Sequence, residues 1–495
     1  MVTRPGPYIT KSAYMGSLQC QKRLWYQFNE PSQFPPIDAA TQAAFDEGHQ
    51  IGELAKKLFP GGREVAPEPS STERVIELTA EAIRRRVPLF EAGFIFETAY
   101  ARLDILNPVG NNQWDLIEVK SSTDVKPEHL PDLAFQRHVC VGAGLKIRKC
   151  HVLHVNSDYV RQGPVDARHL LIQEDVTDNV LEVMQSVPRN LQEMCQTIEL
   201  AAPPPVSIGG HCDSPHTCSL HSMCWKHLPK GHVFTLSRGG KKSERLFRAG
   251  VVTVKDIPAC EKLSDNQTIQ RKAAINGKPH VDEAAIKLFL DQLSYPICYL
   301  DFETVNTAVP LFDGSSPFQQ VPIQYSAHVA PTEAGPLDHY GFLADGPGDP
   351  RKEFMERLVG TVPATGSVVT YNASFEIGRL EECVKLLPQF ESWWRTVKPR
   401  IVDLWDPFRS FSYYHPDQEG SASMKVVLPA LTAKGYDHLD IREGSSASRE
   451  FLRVTYGTVS NAERVKVKKQ LEDYCSLDTD GMAFIVDSLR RVIAD

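Results

Sequence analysis

The sequence lacks a long hydrophobic run and has no excess of basic residues. No apolar stretch approaches the ~20 residues that a membrane-spanning helix needs, and the first residues, MVTRPGPYITKSAYMGSLQC, contain no apolar signal core. The formal net charge is -8, from 54 Lys and Arg against 62 Asp and Glu. These absences argue against a membrane protein and against a protein that coats polyanions with its whole surface. They are compatible with an enzyme that has a local basic groove.

The sequence also lacks a nucleotide-binding P-loop and the pattern of a disulfide framework. Because no Gly-x4-Gly-Lys-Ser/Thr motif occurs, any unwinding of a duplex would come from a partner such as a helicase. Eleven cysteines, an odd number in a long chain without a signal peptide, favour a reducing compartment and metal ligation. We therefore expect a cytoplasmic protein. At 495 residues the chain can hold two or three domains with separate cores.

The first candidate site lies in the sequence LDILNPVGNNQWDLIEVKSST. Residues 103–105 and 114–119 are apolar and β-branched, and the Pro-Val-Gly-Asn-Asn between them is typical of a turn, so the stretch predicts a β-hairpin. The hairpin brings Asp104 close to Glu118, and Lys120 projects from the same face as Glu118. Two carboxylates and an ammonium can hold Mg²⁺ or Mn²⁺ and steady a developing phosphate charge. By itself, this pattern favours a solvated hairpin with an ordinary surface salt bridge.

The segments around the hairpin predict a small α/β domain. A first helix is expected to carry Cys20. Taken alone, a histidine or a cysteine in such helices is better explained as a surface or core residue. Further helices are predicted for 39–59, which contains His49, for 72–85, for 131–144, which contains Gln136, and for 176–200. Strands are predicted for 94–100, where Glu97 is an auxiliary carboxylate, and for 149–156.

A cysteine cluster follows a proline-rich break at residues 201–205. Cys212, Cys218 and Cys224 are separated by five residues each, in a polar segment without the periodicity of a helix or strand. Three cysteines in a loop that would otherwise have no core favour a metal or iron–sulfur site, and Cys20 is the natural fourth thiolate. Interspersed histidines leave zinc as the alternative, because imidazole suits zinc.

Residues 8–228 resemble the RecB-like PD-(D/E)XK nucleases, in particular the iron–sulfur exonucleases of the CRISPR-adaptation type. The resemblance implies a restriction-endonuclease-like domain with an iron–sulfur subdomain that holds a [4Fe-4S] cluster on the four cysteines. It implies metal binding by His49, Asp104, Glu118 and the carbonyl of Val119, positioning of the attacking water by Lys120, and orientation of Lys120 or the substrate by Gln136. The chain departs from the family in its cysteine spacing and in Cys140, where such proteins often carry tyrosine.

Residues 229–292 predict a small helical connector. The composition changes here to short helices and basic patches, and residues 245–258 resemble a helix–hairpin–helix element. The turn amides and lysines of such an element grip phosphates without reading bases. A helical spacer with solvated charges explains the segment equally well.

The last third of the chain carries acidic residues on three separate predicted elements. A short apolar strand delivers Asp301 and Glu303 to one face. A later strand, turn and helix start place Glu376 in the first turn of the helix. A long helix carries Tyr474 and Asp478 one turn apart on the same face. Each pattern alone fits an ordinary strand end or core helix, but together they suit a two-metal phosphodiesterase site in which a tyrosine holds the attacking water.

Residues 293–495 resemble the DEDDy 3′→5′ exonucleases, which have an RNase H-like fold. The resemblance implies that Asp301, Glu303, Glu376 and Asp478 bind metal and that Tyr474 orients water. Glu376 stands where the family usually has aspartate. Asp403 matches a further acidic position that supports the site from outside the metal shell, Lys425 is a candidate phosphate contact, and Asp480 competes for the role of Asp478.

These patterns together predict an α/β protein with three parts, 1–228, 229–292 and 293–495. We expect a nuclease dependent on Mg²⁺ or Mn²⁺, with two active sites, acting on DNA that is single-stranded or frayed at its ends. Such an enzyme would serve DNA-end processing in repair, CRISPR adaptation or phage defence. Two alternatives stay open. One is an exoribonuclease with an N-terminal platform for nucleic acid, and the other is a scaffold that binds DNA ends with a silent site.

The cysteine cluster makes a testable prediction about colour. If the four thiolates hold a cubane cluster, anaerobically purified protein is brown and contains about four iron and four sulfide ions per chain. Elemental analysis with a visible absorption spectrum measures this. Colourless protein with stoichiometric zinc would show instead that the site is a zinc site.

Overall fold

The structure, a computed structural model, describes residues 8–66, 70–110, 112–333, 335–432 and 434–494. The predicted α/β class is confirmed, because sheets and helices occur together in both parts of the chain. The chain divides into two units. Unit 1 comprises Met1–His227 and Thr307–Phe318, and unit 2 comprises Leu228–Asn306 and Gln319–Asp495. The residues predicted as a connector therefore belong to unit 2. Among the described residues, no helix has the length and hydropathy needed to cross a bilayer.

Unit 1 is built on a seven-stranded mixed sheet. Six strands follow each other in the order β2-β3-β4-β5-β6-β7, and β1 pairs in parallel with β4. The pairs β2–β3 and β5–β6 are parallel, whereas the pairs β3–β4, β4–β5 and β6–β7 are antiparallel. The strands are β1 (Ile9–Thr10), β2 (Arg63–Glu64), β3 (Leu89–Phe96), β4 (Ala99–Val109), β5 (Gln113–Lys120), β6 (Ile147–Val155) and β7 (Leu171–Asp175).

Helices cover both faces of this sheet. On one face Phe135 and Val139 of α5 enter a core with Leu116 of β5, and on the other face Ile51 of α3 packs with Ile117 of β5. The alternation along β5 thus separates the two cores. The helices are α1 (Lys11–Gln19), α2 (Gln21–Asn29), α3 (Ala39–Lys56), α4 (Thr72–Ala82), α5 (His129–Gly142), α6 (Ala167–Leu170), α7 (Thr177–Met184), α8 (Val187–Ile198) and α9 (His221–Trp225).

Four predicted elements of unit 1 differ in the structure, and the helix predicted for 176–200 is one of them, because it is two helices, α7 and α8. The helix expected around Cys20 is two helices, because Cys20 is extended (φ -159°) between α1 and α2. Glu97 lies in a tight turn with φ 52°, not in a strand, because β3 and β4 pair as a hairpin up to Phe96 and Ala99. The predicted turn at 108–112 is shorter, since β4 continues to Val109. Asn111 of that turn lies outside the described residues.

Unit 2 contains a five-stranded sheet in the order β11-β10-β9-β12-β13. Strands β9, β10 and β11 form an antiparallel meander, and β12 and β13 run parallel to β9. The strands are β8 (His280–Val281), β9 (Ile297–Val305), β10 (Val321–Ala330), β11 (Asp338–Leu343), β12 (Val368–Thr370), β13 (Ile401–Asp403) and β14 (Tyr413–Tyr414), with β8 and β14 forming a separate pair. β10 and β11 were not among the predicted elements.

The helices of unit 2 include one of 32 residues, α19, which packs along β9 and β10. It starts where the Ser460 side chain accepts from the Glu463 N–H at 3.1 Å, and it buries Tyr474 and Asp478 on the same face. The helices are α10 (Gly240–Arg248), α11 (Asp265–Asn276), α12 (Glu283–Leu290), α13 (Arg351–Thr361), α14 (Ser374–Leu386), α15 (Glu391–Val397), α16 (Asp406–Arg409), α17 (Met424–Thr432), α18 (Gly444–Tyr456) and α19 (Asn461–Val492).

Tyr14 makes a testable contribution to the stability of unit 1. Its ring is fully buried, stacks on Phe135 of α5 at 4.7 Å and accepts a hydrogen bond from Asn190 at 3.0 Å. Because Tyr14→Ala removes this ring from a packed core, we expect the free energy of unfolding to fall by about 3–5 kcal/mol, measured by urea unfolding. Phe45→Ala is the control on α3, where the ring is 48% exposed, and its effect should stay within about 0.5 kcal/mol. Equal losses in the two variants would contradict the prediction.

Candidate metal centres

The first candidate centre sits where β4 and β5 pass beneath α5. The backbone N–H of Val119 donates to Asp104 Oδ2 at 2.8 Å, which ties the two strands together at this point. Glu118 is 1% exposed and shares the α5-facing side of its strand with Leu116. Gln136, fully buried on α5, donates from Nε2 to Glu118 Oε2 at 2.7 Å. The predicted residues Asp104, Glu118 and Gln136 are thus brought together.

Two residues that were not predicted complete this centre. Asp132 accepts from Lys120 Nζ at 2.7 Å and from Gln136 Nε2 at 2.8 Å. Lys120 Nζ also donates to Glu118 Oε1 at 2.7 Å, and Lys11 Nζ donates to the same oxygen at 2.8 Å. We call Lys11, Glu118, Lys120, Asp132 and Gln136 the lysine–carboxylate network. Asp132 could have been found from its position one turn before Gln136, whereas Lys11 carries no local signal.

The network determines which carboxylates are charged. Burial disfavours the charged form of Glu118, but the ammonium groups of Lys11 and Lys120 outweigh it and hold the pKa of Glu118 well below its usual range. Burial, followed by the neighbouring charge of Glu118, raises the pKa of Asp104 to about 7. Glu118 is therefore ionised at neutral pH, while Asp104 takes up a proton near that pH.

Two other predicted residues of unit 1, His49 and Glu97, have exposed side chains. His49 is exposed on α3. Within the described part of the chain, Glu118 belongs to no group of three side chains whose potential ligand atoms all lie within 4.8 Å of one another. Glu97 is exposed, and its charge acts on the pKa of His138, which burial lowers and Glu97 raises. Among the described residues, neither side chain belongs to a group of three potential ligands within 4.8 Å of one another, and the ligand role of His49 stays a prediction.

The four predicted cluster cysteines are neighbours in space. Gln19 Nε2 donates to the carbonyl oxygens of His211 at 2.8 Å and His216 at 2.6 Å, which anchors the cysteine loop beside Cys20. Burial raises the pKa of Cys224, and the thiols of Cys218, Cys20 and Cys212 raise it further. No three sulfurs lie within 4.8 Å of one another among the described residues. Four adjacent cysteines are nevertheless a donor set that suits an iron–sulfur cluster or zinc.

The second candidate centre lies in unit 2 on the central strand of its sheet. Asp301 and Glu303 point from β9 toward Asp478 of α19, and one oxygen from each carboxylate lies within 4.8 Å of the others. We call these three residues the acidic cluster. It is the one group of potential metal ligands at this spacing in the parts of the chain that the structure describes. Predicted residues from two distant elements therefore meet at ligand distance.

The acidic cluster opens into a cavity of about 810 Å³. Glu376, in the first turn of α14, also lines the cavity. It is 2% exposed, and its Oε2 has no hydrogen-bond partner. A buried carboxylate oxygen without a donor is costly unless it is protonated or bound to a cation. The donor set of four carboxylates suits a hard divalent cation.

Burial and mutual repulsion keep these carboxylates from ionising freely. Burial, followed by the charge of Asp478, raises the pKa of Asp301 well above its usual range and that of Glu303 to about 8. Burial raises the pKa of Glu376 to about 8, against a backbone hydrogen bond that lowers it, and the charge of Asp403 adds to the rise. The pKa of Asp478 is raised by burial only to about 6, because Tyr436 and Lys425 stabilise its charged form.

Two tyrosines and a lysine surround Asp478. Tyr436 Oη donates to Asp478 Oδ1 at 2.5 Å, and a hydrogen bond from Tyr474 also lowers the pKa of Asp478. Lys425 Nζ lies 5.3 Å from the ring centroid of Tyr474 and 6.0 Å from that of Tyr436. Tyr474 and Lys425 were predicted here. Tyr436 was not, because it follows α17 in a loop without a recognisable pattern.

The remaining two predicted acids serve the surroundings of the cavity. Asp403 Oδ1 accepts from the backbone N–H groups of Asn372 at 2.9 Å and Trp405 at 3.0 Å. It therefore fixes the loop that leads into α14. Burial raises the pKa of Asp480, and the charges that act on it are those of Lys434 and His339, which do not line the cavity. Asp478, not Asp480, belongs to the acidic cluster.

Comparisons with known proteins give similarity without a described function. Residues 298–423 match a family described as a domain of unknown function, DUF2779. Uncharacterized protein UU173 of Ureaplasma parvum serovar 3 is 22% identical over 240 residues, 44% of this chain and 34% of that protein. Uncharacterized protein MG366 of Mycoplasma genitalium is 25% identical over 213 residues, 39% of this chain and 32% of that protein. The chain thus spans about a third of the length of these curated relatives.

Among solved structures, the crystal structure of SSO0001 is similar to 46% of this chain and 90% of its own chain, with 11% identity and a TM-score of 0.24. The DUF2779 match contains Asp301, Glu303 and Glu376 and ends before α17. Asp478 lies outside that matched region.

The raised pKa values predict that metal-free unit 2 loses stability as pH rises. The pKa of Glu303 is about 8 in the folded protein and about 4.3 in the unfolded chain. Between these values the folded state binds a proton that the unfolded state lacks, so stability is greatest at the acidic end and declines toward about pH 8. Glu303→Gln cannot ionise and should reduce this decline, measured by thermal unfolding in a chelator at about pH 5.5 and pH 8.

Glu356→Gln on the exposed side of α13 is the control for this comparison. It makes the same chemical change outside the cavity and should keep the decline of the wild type. A decline in Glu303→Gln as steep as that of the control would contradict the placement of a protonated carboxyl group in the cavity.

Proposed function

We propose that the chain is a metal-dependent nuclease with two active sites, one in each unit. The observation that carries the proposal is the convergence of Asp301, Glu303 and Asp478 to within 4.8 Å, in a cavity with a lysine and a tyrosine. Clustered buried carboxylates are destabilising unless they serve to bind cations. Hydrolysis of phosphodiesters is a reaction for which such carboxylate-bound cations are used.

In unit 2 the acidic cluster and Glu376 would hold Mg²⁺ or Mn²⁺. Such ions would supply Lewis acidity and would lower the pKa of bound water. Tyr474, whose side chain hydrogen-bonds to Asp478, would orient that water. Lys425, which faces the same cavity, is placed to contact a phosphate of the substrate. This arrangement supports an assignment to the DEDDy type, with an RNase H-like fold and 3′→5′ polarity.

In unit 1 Asp104 and Glu118 would hold the metal ion. Lys120, which donates to Glu118 and Asp132, would position the water and balance charge. Gln136 fixes the orientation of Glu118 through its Nε2. This arrangement supports an assignment to the RecB-like PD-(D/E)XK nucleases. The four adjacent cysteines would hold the [4Fe-4S] cluster.

We propose DNA that is single-stranded or frayed at its ends as the substrate of both sites. A cavity of about 810 Å³ in unit 2 has room for an unpaired end, and the rings of Phe375 and Trp405 line it. Aromatic side chains stack on unpaired bases without strong sequence preference.

Digestion of DNA labelled at the 5′ or 3′ end tests the function. With Mg²⁺ or Mn²⁺ we expect the wild type to degrade single-stranded DNA from its ends. Lys120→Ala should lose degradation from one end of the DNA, and Asp301→Ala should lose degradation from the other end, because each change removes the chemistry of one site only. The double variant should lose both activities.

If Asp301→Ala alone abolishes all cleavage, unit 1 is a binding platform. If the wild type binds ends without cleaving them, the chain is a scaffold. Cleavage of RNA in preference to DNA would make unit 2 an exoribonuclease.

A matched pair on α19 serves as the internal control. Asp478→Asn should lower the rate of the unit 2 reaction by about 100-fold or more, because it removes a metal ligand. Asp480→Asn, two residues further along, should leave the rate within about two-fold of the wild type, because Asp480 does not line the cavity. Equal losses in both variants would contradict the assignment of Asp478.

A further inference from the structure

Three helices of unit 2 begin at its cavity. The lining residues include Phe375 at the start of α14, Lys425 at the start of α17, and Gly444, Ser445 and Ser448 at the start of α18. The three helices have 13, 9 and 13 residues, so each start carries the partial positive charge of a helix N-terminus. The cavity therefore combines buried carboxylates with positively polarised helix ends.

The start of α18 lies directly against the acidic cluster. A Cβ atom added to Gly444 would be 3.3 Å from Glu303 Oε2, so a side chain at this position would crowd the carboxylate. Gly444 does not have a positive φ. The close approach to Glu303, and not the backbone conformation, therefore favours glycine here.

The first N–H groups of α18 are available to a ligand. The carbonyl oxygen of Glu443 accepts from the N–H groups of Ser446 and Ala447, both at 2.9 Å, and no side chain caps the helix. The N–H groups of Gly444 and Ser445 precede these two and therefore have no acceptor within the helix. Free N–H groups at the start of a helix are donors that suit a phosphate.

Two buried carboxylates indicate independently that the cavity takes up a ligand. Glu303 is 7% exposed and Glu376 is 2% exposed. Glu376 Oε2 has no hydrogen-bond partner, and none of the residues that the structure describes donates to the Glu303 carboxylate. Buried carboxylate oxygens without donors point to bound cations. A cation beside free helix N–H groups creates a place for an anion that contacts both.

Side chains add further donors at the start of α18. Ser445 and Ser448 line the cavity from this helix, and Lys425 lines it from α17. Among the described residues around the cavity, Lys425 is the only lysine or arginine. Its charge lowers the pKa of both Glu303 and Asp478, so its ammonium group lies near both carboxylates. Amide, hydroxyl and ammonium groups are the usual donors to phosphate oxygens.

We propose that the start of α18, with Ser445, Ser448 and Lys425, is a subsite for a second phosphate group of the nucleic-acid strand, beside the scissile phosphate. The second phosphate is either a 3′-terminal phosphate or the phosphate of the neighbouring linkage. The inference rests on the proposed nuclease function of unit 2 and adds a second contact with the substrate.

Isothermal titration calorimetry with two nucleotides tests the subsite. Thymidine 5′-monophosphate has one phosphate, thymidine 3′,5′-bisphosphate has two, and neither contains a phosphodiester linkage. With the full chain in Mn²⁺ we expect the bisphosphate to bind about ten-fold more tightly, because its second phosphate accepts charge-assisted hydrogen bonds. Equal affinities would overturn the subsite and leave the nuclease proposal intact. Binding of neither nucleotide would overturn both the subsite and the metal centre beside it.

Ser445→Asp places a negative charge in the subsite. Acidic side chains are favoured in the first turn of a helix, so the fold should be retained, which thermal unfolding checks. We expect the advantage of the bisphosphate over the monophosphate to fall to about two-fold or less, because like charges repel. An advantage that stays at the wild-type value would overturn the placement of the second phosphate at α18.

Ser446→Asp is the matched control. It makes the same change in the same turn, but Ser446 accepts from Arg449 Nη2 at 2.8 Å and does not line the cavity. The control should keep the wild-type advantage of the bisphosphate. An equal loss in the two variants would assign the effect to general electrostatics and would overturn the subsite.

Digestion of single-stranded DNA by the Lys120→Ala variant identifies the second phosphate. Faster cleavage of a 3′-phosphate end than of a 3′-hydroxyl end, abolished by Ser445→Asp, would assign the subsite to the terminal phosphate. Slower cleavage beside an uncharged methylphosphonate linkage, with no further loss in Ser445→Asp, would assign it to the neighbouring linkage. Cleavage that depends on neither phosphate would overturn the inference without affecting the proposed nuclease activity.

Discussion

Repulsion between buried carboxylates is the constraint on which both candidate sites depend. Carboxylates that are close together and away from water cannot all ionise unless cations or hydrogen-bond donors compensate their charge. Unit 1 supplies that compensation with ammonium groups, so Glu118 stays ionised. Unit 2 supplies less of it, so the pKa values of Glu303 and Glu376 rise to about 8. The two sites thus differ in how much positive charge from nearby lysines compensates the repulsion between their carboxylates.

The scaffold places each cluster where its geometry is most restricted. β5 and β9 are interior strands, paired on both sides, and each carries two of the charged residues in question. A long or well-packed helix then crosses the strand and adds the remaining groups, α5 in unit 1 and α19 in unit 2. Interior strands and packed helices leave few alternative backbone positions, which is what a site with narrow distance requirements needs.

The region that matches DUF2779 is smaller than the structural site. It contains the strand that carries Asp301 and Glu303, and the helix start that carries Glu376. The acidic cluster is completed only by Asp478, and its hydrogen-bond donor Tyr436 also lies beyond the match. Whatever the function of this chain, the cluster requires α19 and the loop after α17. A fragment limited to residues 298–423 would contain only part of the acidic cluster, because it would lack Asp478.

Spacing along the chain was sufficient to predict Glu118 beside Lys120, and Tyr474 one turn from Asp478, because the periods of strands and helices fix such neighbours locally. Packing alone decided that Lys11 reaches Glu118, 107 residues away. It also decided that Tyr436 donates to Asp478, 42 residues away, and that the chain breaks its helix at Cys20. Such contacts depend on the sum of many weak interactions across the whole core, and no short stretch of sequence contains that sum.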